Sequence, residues 1–315
     1  MTKLTLTSIG DSQTTLTSAY NVPGWLTWTP QLVKLLVREG IDTRCRAFGI
    51  GGETTANFLA RADVLHYYDA PAVVAINGGI NDKTASVADA TIQANLQALI
   101  KGAKFGVRGV GIGGGITVAG QADLPATGEV GDRLVVMTDT STTGGVAAFH
   151  SSQAARIGGA GGSAQTVWEC RYPGQTGERG WGRIATAATT PTHVDRIIVV
   201  GYGYENFTTG GDTPSTPVAS RAALRADQQA AVTAENVTVS GRASVVYADV
   251  YTTMHDRIVA GTDLDFSSVA YDATKSWHQI QNDLHHNRYG HALVAQVCRA
   301  AMPNAWITEL TEEAA

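Results

Sequence analysis

Ser12 stands in Ser8-Ile9-Gly10-Asp11-Ser12-Gln13-Thr14, after the alternating Leu4-Thr5-Leu6, so a strand feeds a turn that exposes a hydroxyl. A serine at the C-terminal end of a first strand lies where open α/β sheets place their ligands. Gly10 permits a backbone turn too crowded for a side chain, which directs the Ser12 hydroxyl into a cleft. Gly-Asp-Ser is also ordinary turn chemistry, so its meaning depends on three further segments. These are Phe48-Gly49-Ile50-Gly51-Gly52-Glu53-Thr54-Thr55 after a second apolar run, Gly78-Gly79-Ile80-Asn81-Asp82 after the buried-strand pattern Ala72–Ile76, and Asp283-Leu284-His285-His286-Asn287. A serine, a histidine and well-placed N–H donors are what ester hydrolysis needs: a nucleophile, a base for its proton and stabilisation of the oxyanion.

In this order the four segments resemble the SGNH hydrolases, the GDSL esterase/lipase superfamily, over roughly residues 1–105 and 193–305. The resemblance implies Ser12 as nucleophile, with its own N–H as one oxyanion donor. Gly49–Thr55 overlays the family's glycine-x-threonine-threonine block, which makes the Gly52 N–H the second donor. Asn81, in Gly79-x-Asn81-Asp82, matches the third, a side-chain amide. Singly, Gly52 reads equally as a tight turn and Asn81 as an Asx-turn.

The family's last block runs Asp-x-x-His-x-Asn-x-x-Gly-His, and alignment on Asn287, Gly290 and His291 makes His285 the base. That register puts Asn282 where the aspartate should be, whereas Asp283-x-x-His286 restores the aspartate but breaks the spacing to Asn287. The longer match favours His285. Its tautomer needs an anchor, which Asp283, the Asn282 amide oxygen or a main-chain carbonyl could supply. His286 reads as a packing or substrate-wall residue, and His291 as a residue of the helix start.

The chain has 315 residues, 43% hydrophobic and 16% charged, with net charge −5. No basic stripe marks a nucleic-acid partner, and no apolar run approaches the ~18–20 residues of a membrane span. Met1-Thr2-Lys3 leads straight into the first strand, so no signal peptide is expected here. Cys45, Cys170 and Cys298 are three and scattered, which speaks against a disulfide framework and against zinc. Cys298 reads as a small core residue.

Helical spacing covers Pro30–Arg38, Asp89–Lys101 with Ile92, Leu96 and Leu99 on one face, and Arg221–Thr233. Strands are expected around 43–48, at Val194–Val200 and at Ala243–Tyr251, with Asp249 shaping the cleft or capping the next turn. The expected fold is a three-layer α/β/α sandwich, flavodoxin-like, with a central parallel sheet of about five strands. Residues 1–105 and 193–315 would form this discontinuous domain.

Residues 106–192 are rich in Gly and Thr, with strand-like runs at 116–118, 133–137, 165–172 and 182–185. They read as an inserted antiparallel β module. Gly109-x-Gly111-x-x-Gly114 matches a dinucleotide fingerprint by letters, but a strand-like run follows where a helix should start. Leu124–Arg133, Thr138-Asp139-Thr140 and Trp168-Glu169-Cys170 are similar to β modules of actinobacteriophage tail proteins. That resemblance suggests a virion-associated esterase with an assembly partner, acting at a host surface. The expected function is serine-dependent ester hydrolysis without metal or organic cofactor, removing acetyl or short acyl groups from carbohydrate. The alternative is a weakly active or inactive glycan-binding component of a phage tail.

Overall fold

A computed structural model describes residues 3–14, 22–65, 71–105, 117–118, 133–139, 164–170, 181–186, 194–203, 219–236, 238–239, 241–259 and 286–315. The described strands are, in chain order, β1 (Leu4–Gly10), β2 (Thr43–Gly49), β3 (Val73–Asn77), β4 (Thr117–Val118), β5 (Arg133–Asp139), β6 (Ala164–Cys170), β7 (Trp181–Thr186), β8 (Ile197–Val200), β9 (Thr238–Val239), β10 (Arg242–Ala243) and β11 (Val245–Ala248). The helices are α1 (Trp28–Arg38), α2 (Thr55–Ala60), α3 (Ile80–Thr84), α4 (Asp89–Phe105), α5 (Ala219–Glu235), α6 (Val250–Val259), α7 (Arg288–Ala301) and α8 (Asn304–Ala314). The chain divides into two compact units, one of residues 1–55, 71–93 and 196–315, the other of 56–70 and 94–195.

The first unit is built on a five-stranded parallel sheet in the order β11-β8-β3-β1-β2, flanked by helices. Parallel strands joined by helical crossovers are covered on both faces, which is why Val73–Asn77 and Ile197–Val200 are buried along their whole length. Leu6, Val73, Ala75, Ile198, Val200 and Ala248 join one core with Trp28, Leu32, Leu36, Leu293, Cys298 and Trp306. Burial drives the Cys298 thiol well above its ordinary range, so it behaves as a small apolar side chain.

Register fixes where the chain leaves the sheet. Gly10 pairs with Gly49 on one side and Asn77 on the other, Asn77 with Val200, and Val200 with Ala248. The five strands therefore end in one row, and residues 11–14, 50–55, 78–82, 201–203 and 249 emerge along a single edge.

The last strand is shorter than its apolar pattern predicts. It stops at Ala248, and α6 begins at Val250 because Asp249 caps it: Oδ1 accepts from Thr252 N at 3.1 Å and Oδ2 from Thr252 Oγ1 at 3.0 Å. Oδ2 also accepts from Arg225 Nη2 at 2.5 Å. Asp249 is a cap with a cationic partner. The β9–β10 pair, turned at Gly241 (φ +80), carries too few residues to show a period in sequence.

In the second unit, β4 to β7 form a four-stranded sheet in chain order. Its β5-β6-β7 pairs are antiparallel, but β4 runs parallel to β5, so the sheet is mixed where a wholly antiparallel one was expected.

Candidate active site

The turn after β1 holds its shape through short-range bonds that its residue types allow. Asp11 Oδ1 accepts from Gln13 N at 2.9 Å, and the Asp11 carbonyl accepts from Thr14 N at 3.0 Å. Thr14 Oγ1 then donates to Asn77 Oδ1 at 3.4 Å, and Asn77 Nδ2 to the Val200 carbonyl at 3.2 Å. A β-carbon at Gly10 would clash with Thr14 Oγ1 and the Asn77 carbonyl. Glycine is thus required by close approach, as its place beside Ser12 suggested, and φ there is not positive. Ser12 is half-buried while Asp11, Gln13 and Thr14 are buried.

The glycine segment after β2 is tied to the same edge from two sides. Ile50 N donates to the Gly10 carbonyl at 3.1 Å, extending the β1–β2 ladder past the strand end. Gly52 takes φ +80, a conformation that favours glycine. On the other side, Asn81 Nδ2 donates to the Glu53 carbonyl at 2.9 Å. Asp82 accepts from Thr55 N at 2.8 Å and from Thr55 Oγ1 at 2.6 Å. Gly79, at φ +111, starts α3 and so sets the direction of Asn81 and Asp82. Lys83 anchors the same helix to Asp89 at 2.6 Å and Asp227 at 2.8 Å.

The structure therefore brings Ser12, Gly52 and Asn81 to one edge of the sheet. Asn282, Asp283 and His285 lie outside the described residues. Of the histidine block, His286 is 4% exposed and stands edge-on to His291, ring centroids 5.7 Å apart. Gly203 packs against the His286 ring so closely that a β-carbon there would clash with Cε1. The Gly203 carbonyl in turn accepts from Arg221 Nη1 at 2.9 Å. Asn287 caps α7, its Oδ1 accepting from Tyr289 N and Gly290 N at 2.9 and 3.0 Å.

Two roles escaped the sequence reading. Gln13, 2% exposed, accepts the His286 N–H on Oε1 at 3.2 Å, and so joins the serine turn to the histidine block across 273 positions. The pairing of Thr55 with Asp82, which ties down the glycine segment, is the other. Both stand inside motif segments, but the 27 positions that separate them carry no spacing that announces their pairing.

Residues 8–140 match the GDSL-like Lipase/Acylhydrolase family. They belong to the SGNH hydrolase superfamily. The matched span takes in Ser12, Gly52 and Asn81. The chain is also 35% identical over 100 residues to Esterase TesA of Pseudomonas aeruginosa, a match covering 32% of this chain and 48% of that protein. The chain thus spans about half the length of the curated relative it matches. Among solved structures, a crystal structure of TesA aligns over 95% of this chain and 98% of its own at 15% identity, with TM-score 0.46. The esterase EstA from Pseudoalteromonas sp. aligns over 31% and 51% at 31% identity, with TM-score 0.27.

Next to Ser12 in the chain, Asp11 is fully buried, and Oδ2 has no hydrogen-bond partner among the described residues. Burial above all raises its pKa to about 7; the Gln13 N–H pulls it down, while Asp82 and Glu53 push it up. The carboxyl is thus held neutral in the fold over a range where an unfolded chain ionises it. The native state binds the extra proton between about pH 4 and pH 7, so stability is full at the acid end and falls as pH rises through that window. The loss is on the order of 4 kcal/mol. Asp11→Asn keeps the acceptor for Gln13 N, and the variant should melt above the parent at pH 8 while matching it near pH 4. Equal melting differences at the two pH values would rule this out.

Proposed function

We propose that the chain is a serine-dependent carboxylic ester hydrolase that removes acetyl or short acyl groups from carbohydrate. The observation that carries this reading is the convergence of Ser12, Gly52 and Asn81 on one sheet edge, in segments tied to one another by the bonds of Ile50 N to the Gly10 carbonyl, Asn81 Nδ2 to the Glu53 carbonyl and Thr55 N to Asp82. In the proposed reaction Ser12 Oγ attacks the ester carbonyl while His285 accepts its proton. Negative charge collects on the carbonyl oxygen, where the N–H groups of Ser12 and Gly52 and an Asn81 amide proton receive it. His285 returns the proton to the departing alcohol, and water then releases the acyl group from Ser12 by the same steps in reverse. Asn81 Nδ2 carries two protons, so its bond to the Glu53 carbonyl leaves one for the oxyanion. A short acyl group is favoured because the sequence shows no long apolar groove or lid.

Hydrolysis of p-nitrophenyl acetate by the purified chain tests the reaction, and a fluorophosphonate tests the nucleophile by labelling the peptide that contains Ser12. Absence of turnover, or label on another peptide, would remove the proposal. Asn81→Ala should lower turnover about 10²–10³-fold. It should also cost roughly 1 kcal/mol in the melt, because the Glu53 carbonyl loses its donor. A melt that collapses while the residual folded protein keeps its rate would make Asn81 structural only.

A further inference from the structure

Among the described residues, the large apolar side chains most exposed are Trp25 (62%), Ile50 (49%), Val37 (48%) and Tyr289 (45%). Three of the four lie at the edge that carries Ser12. Ile50 follows β2 and bonds the Gly10 carbonyl. Trp25 precedes α1, whose other end turns through Glu39 and Gly40 into the start of β2, so its first turn faces the strand ends. Tyr289 lies in the first turn of α7, four residues beyond His285 in sequence. Only Val37 sits at the far end of α1.

Trp25 and Tyr289 belong to one built cluster. Gln31 Nε2 donates to the Leu26 carbonyl at 2.5 Å and to the Arg288 carbonyl at 3.4 Å. A single nitrogen thus spans the residues next to both aromatics, and the two carbonyls lie no further apart than those distances summed. Each ring also carries a cation. Lys34 Nζ lies 4.9 Å from the Trp25 ring centre and donates to the Trp25 carbonyl at 3.3 Å. The Arg288 guanidinium lies 4.6 Å from the Tyr289 ring centre and donates to the Tyr289 hydroxyl at 2.6 Å. Among the described residues neither cation has a carboxylate at ion-pair distance, although the chain is acidic overall and pairs Arg196, Arg225, Arg242 and Arg299 with acids elsewhere.

Exposed rings grouped on a monomer's surface mark binding sites. Flat rings suit the C–H faces of sugars, and the unneutralised cations beside them select an anionic partner. We infer that Trp25, Tyr289, Lys34 and Arg288 form a surface that holds an acidic polysaccharide chain whose ester enters the serine site. This rests on the proposed esterase reading and names its substrate class as uronate-bearing.

The test uses the full chain with Ser12→Ala, so that bound substrate is not consumed, and two probes of matched length: acetylated oligogalacturonate and neutral acetylated glucomannan. Titration calorimetry should show saturable binding of the acidic probe that weakens steeply with salt, and binding of the neutral probe at least about 10-fold weaker. Adding Trp25→Ala or Tyr289→Ala should weaken the acidic probe by about 10-fold or more. Lys34→Gln with Arg288→Gln should flatten the salt dependence, and these exposed changes should leave the melt in place. Equal affinity for both probes, no saturable binding of the acidic one, or undiminished binding by the aromatic variants would overturn the inference. Failure of the esterase reading appears separately, as wild-type protein that binds the acidic probe yet releases no acetate from it.

Discussion

Ser12→Ala should lower kcat/KM for p-nitrophenyl acetate by about 10⁴-fold or more, with the melting curve unchanged. The size follows from triad enzymes, in which loss of the nucleophile leaves only binding and oxyanion stabilisation. The unchanged melt follows from the turn itself. Its shape rests on Asp11, Gln13, Thr14 and Asn77, and the half-buried Ser12 side chain fills no core space. A variant that hydrolyses the ester at near-parental rate would end the assignment. One that fails to fold would show the hydroxyl to be structural.

His285→Ala should approach the same loss, because a hydroxyl whose proton has nowhere to go is a poor nucleophile. His286→Ala should behave differently. Its ring is buried against Gly203 and His291, so truncation leaves a cavity and should cost on the order of 2 kcal/mol in the melt, with most of the turnover of folded protein retained. The kcat/KM profile should fall on the acid side as the free-enzyme histidine takes up a proton. Replacement of Asp283 should cost more than replacement of Asn282 if a carboxylate orients the imidazole, and less if the amide does. Either change should cost less than His285→Ala, as orienting groups do. If His286→Ala abolishes turnover and His285→Ala does not, the alignment on Asn287 and Gly290 is wrong.

The central strands β3 and β8 were readable because burial on both faces writes them as continuous apolar runs, Val73–Ile76 and Ile197–Val200, whereas β1 showed through the alternation Leu4-Thr5-Leu6. Helices α1, α4 and α5 showed through their one-sided period, and α4 keeps Ile92, Leu96 and Leu99 fully buried as that period required. Glycines at 10 and 52 were legible for two different reasons, close approach and positive φ. What escaped was everything decided by partners distant in sequence. The boundary at Asp249 depends on a capping bond that competes with an apolar run, and Gln13 and Thr55 take their meaning only from His286 and Asp82. The parallel β4–β5 pair is likewise silent in sequence, since strand direction leaves no mark on so short a run.

The core that supports the serine also sets the order in which this protein can be made. Leu6, in the strand that leads to Ser12, shares its cluster with Trp306, Leu310 and Ala314 of α8. The ribosome delivers Leu6 long before any of them, and before the Arg242 and Arg196 side chains that grip Glu309 on the same helix. Until that helix emerges, the nascent strand keeps an apolar face without its cover, open to other chains or to chaperones. Contacts this distant in sequence also close slowly. The strand that leads to Ser12 therefore stays unfinished until α8 is made, and the proposed esterase activity should appear in a translation time course only after α8 has cleared the ribosomal tunnel.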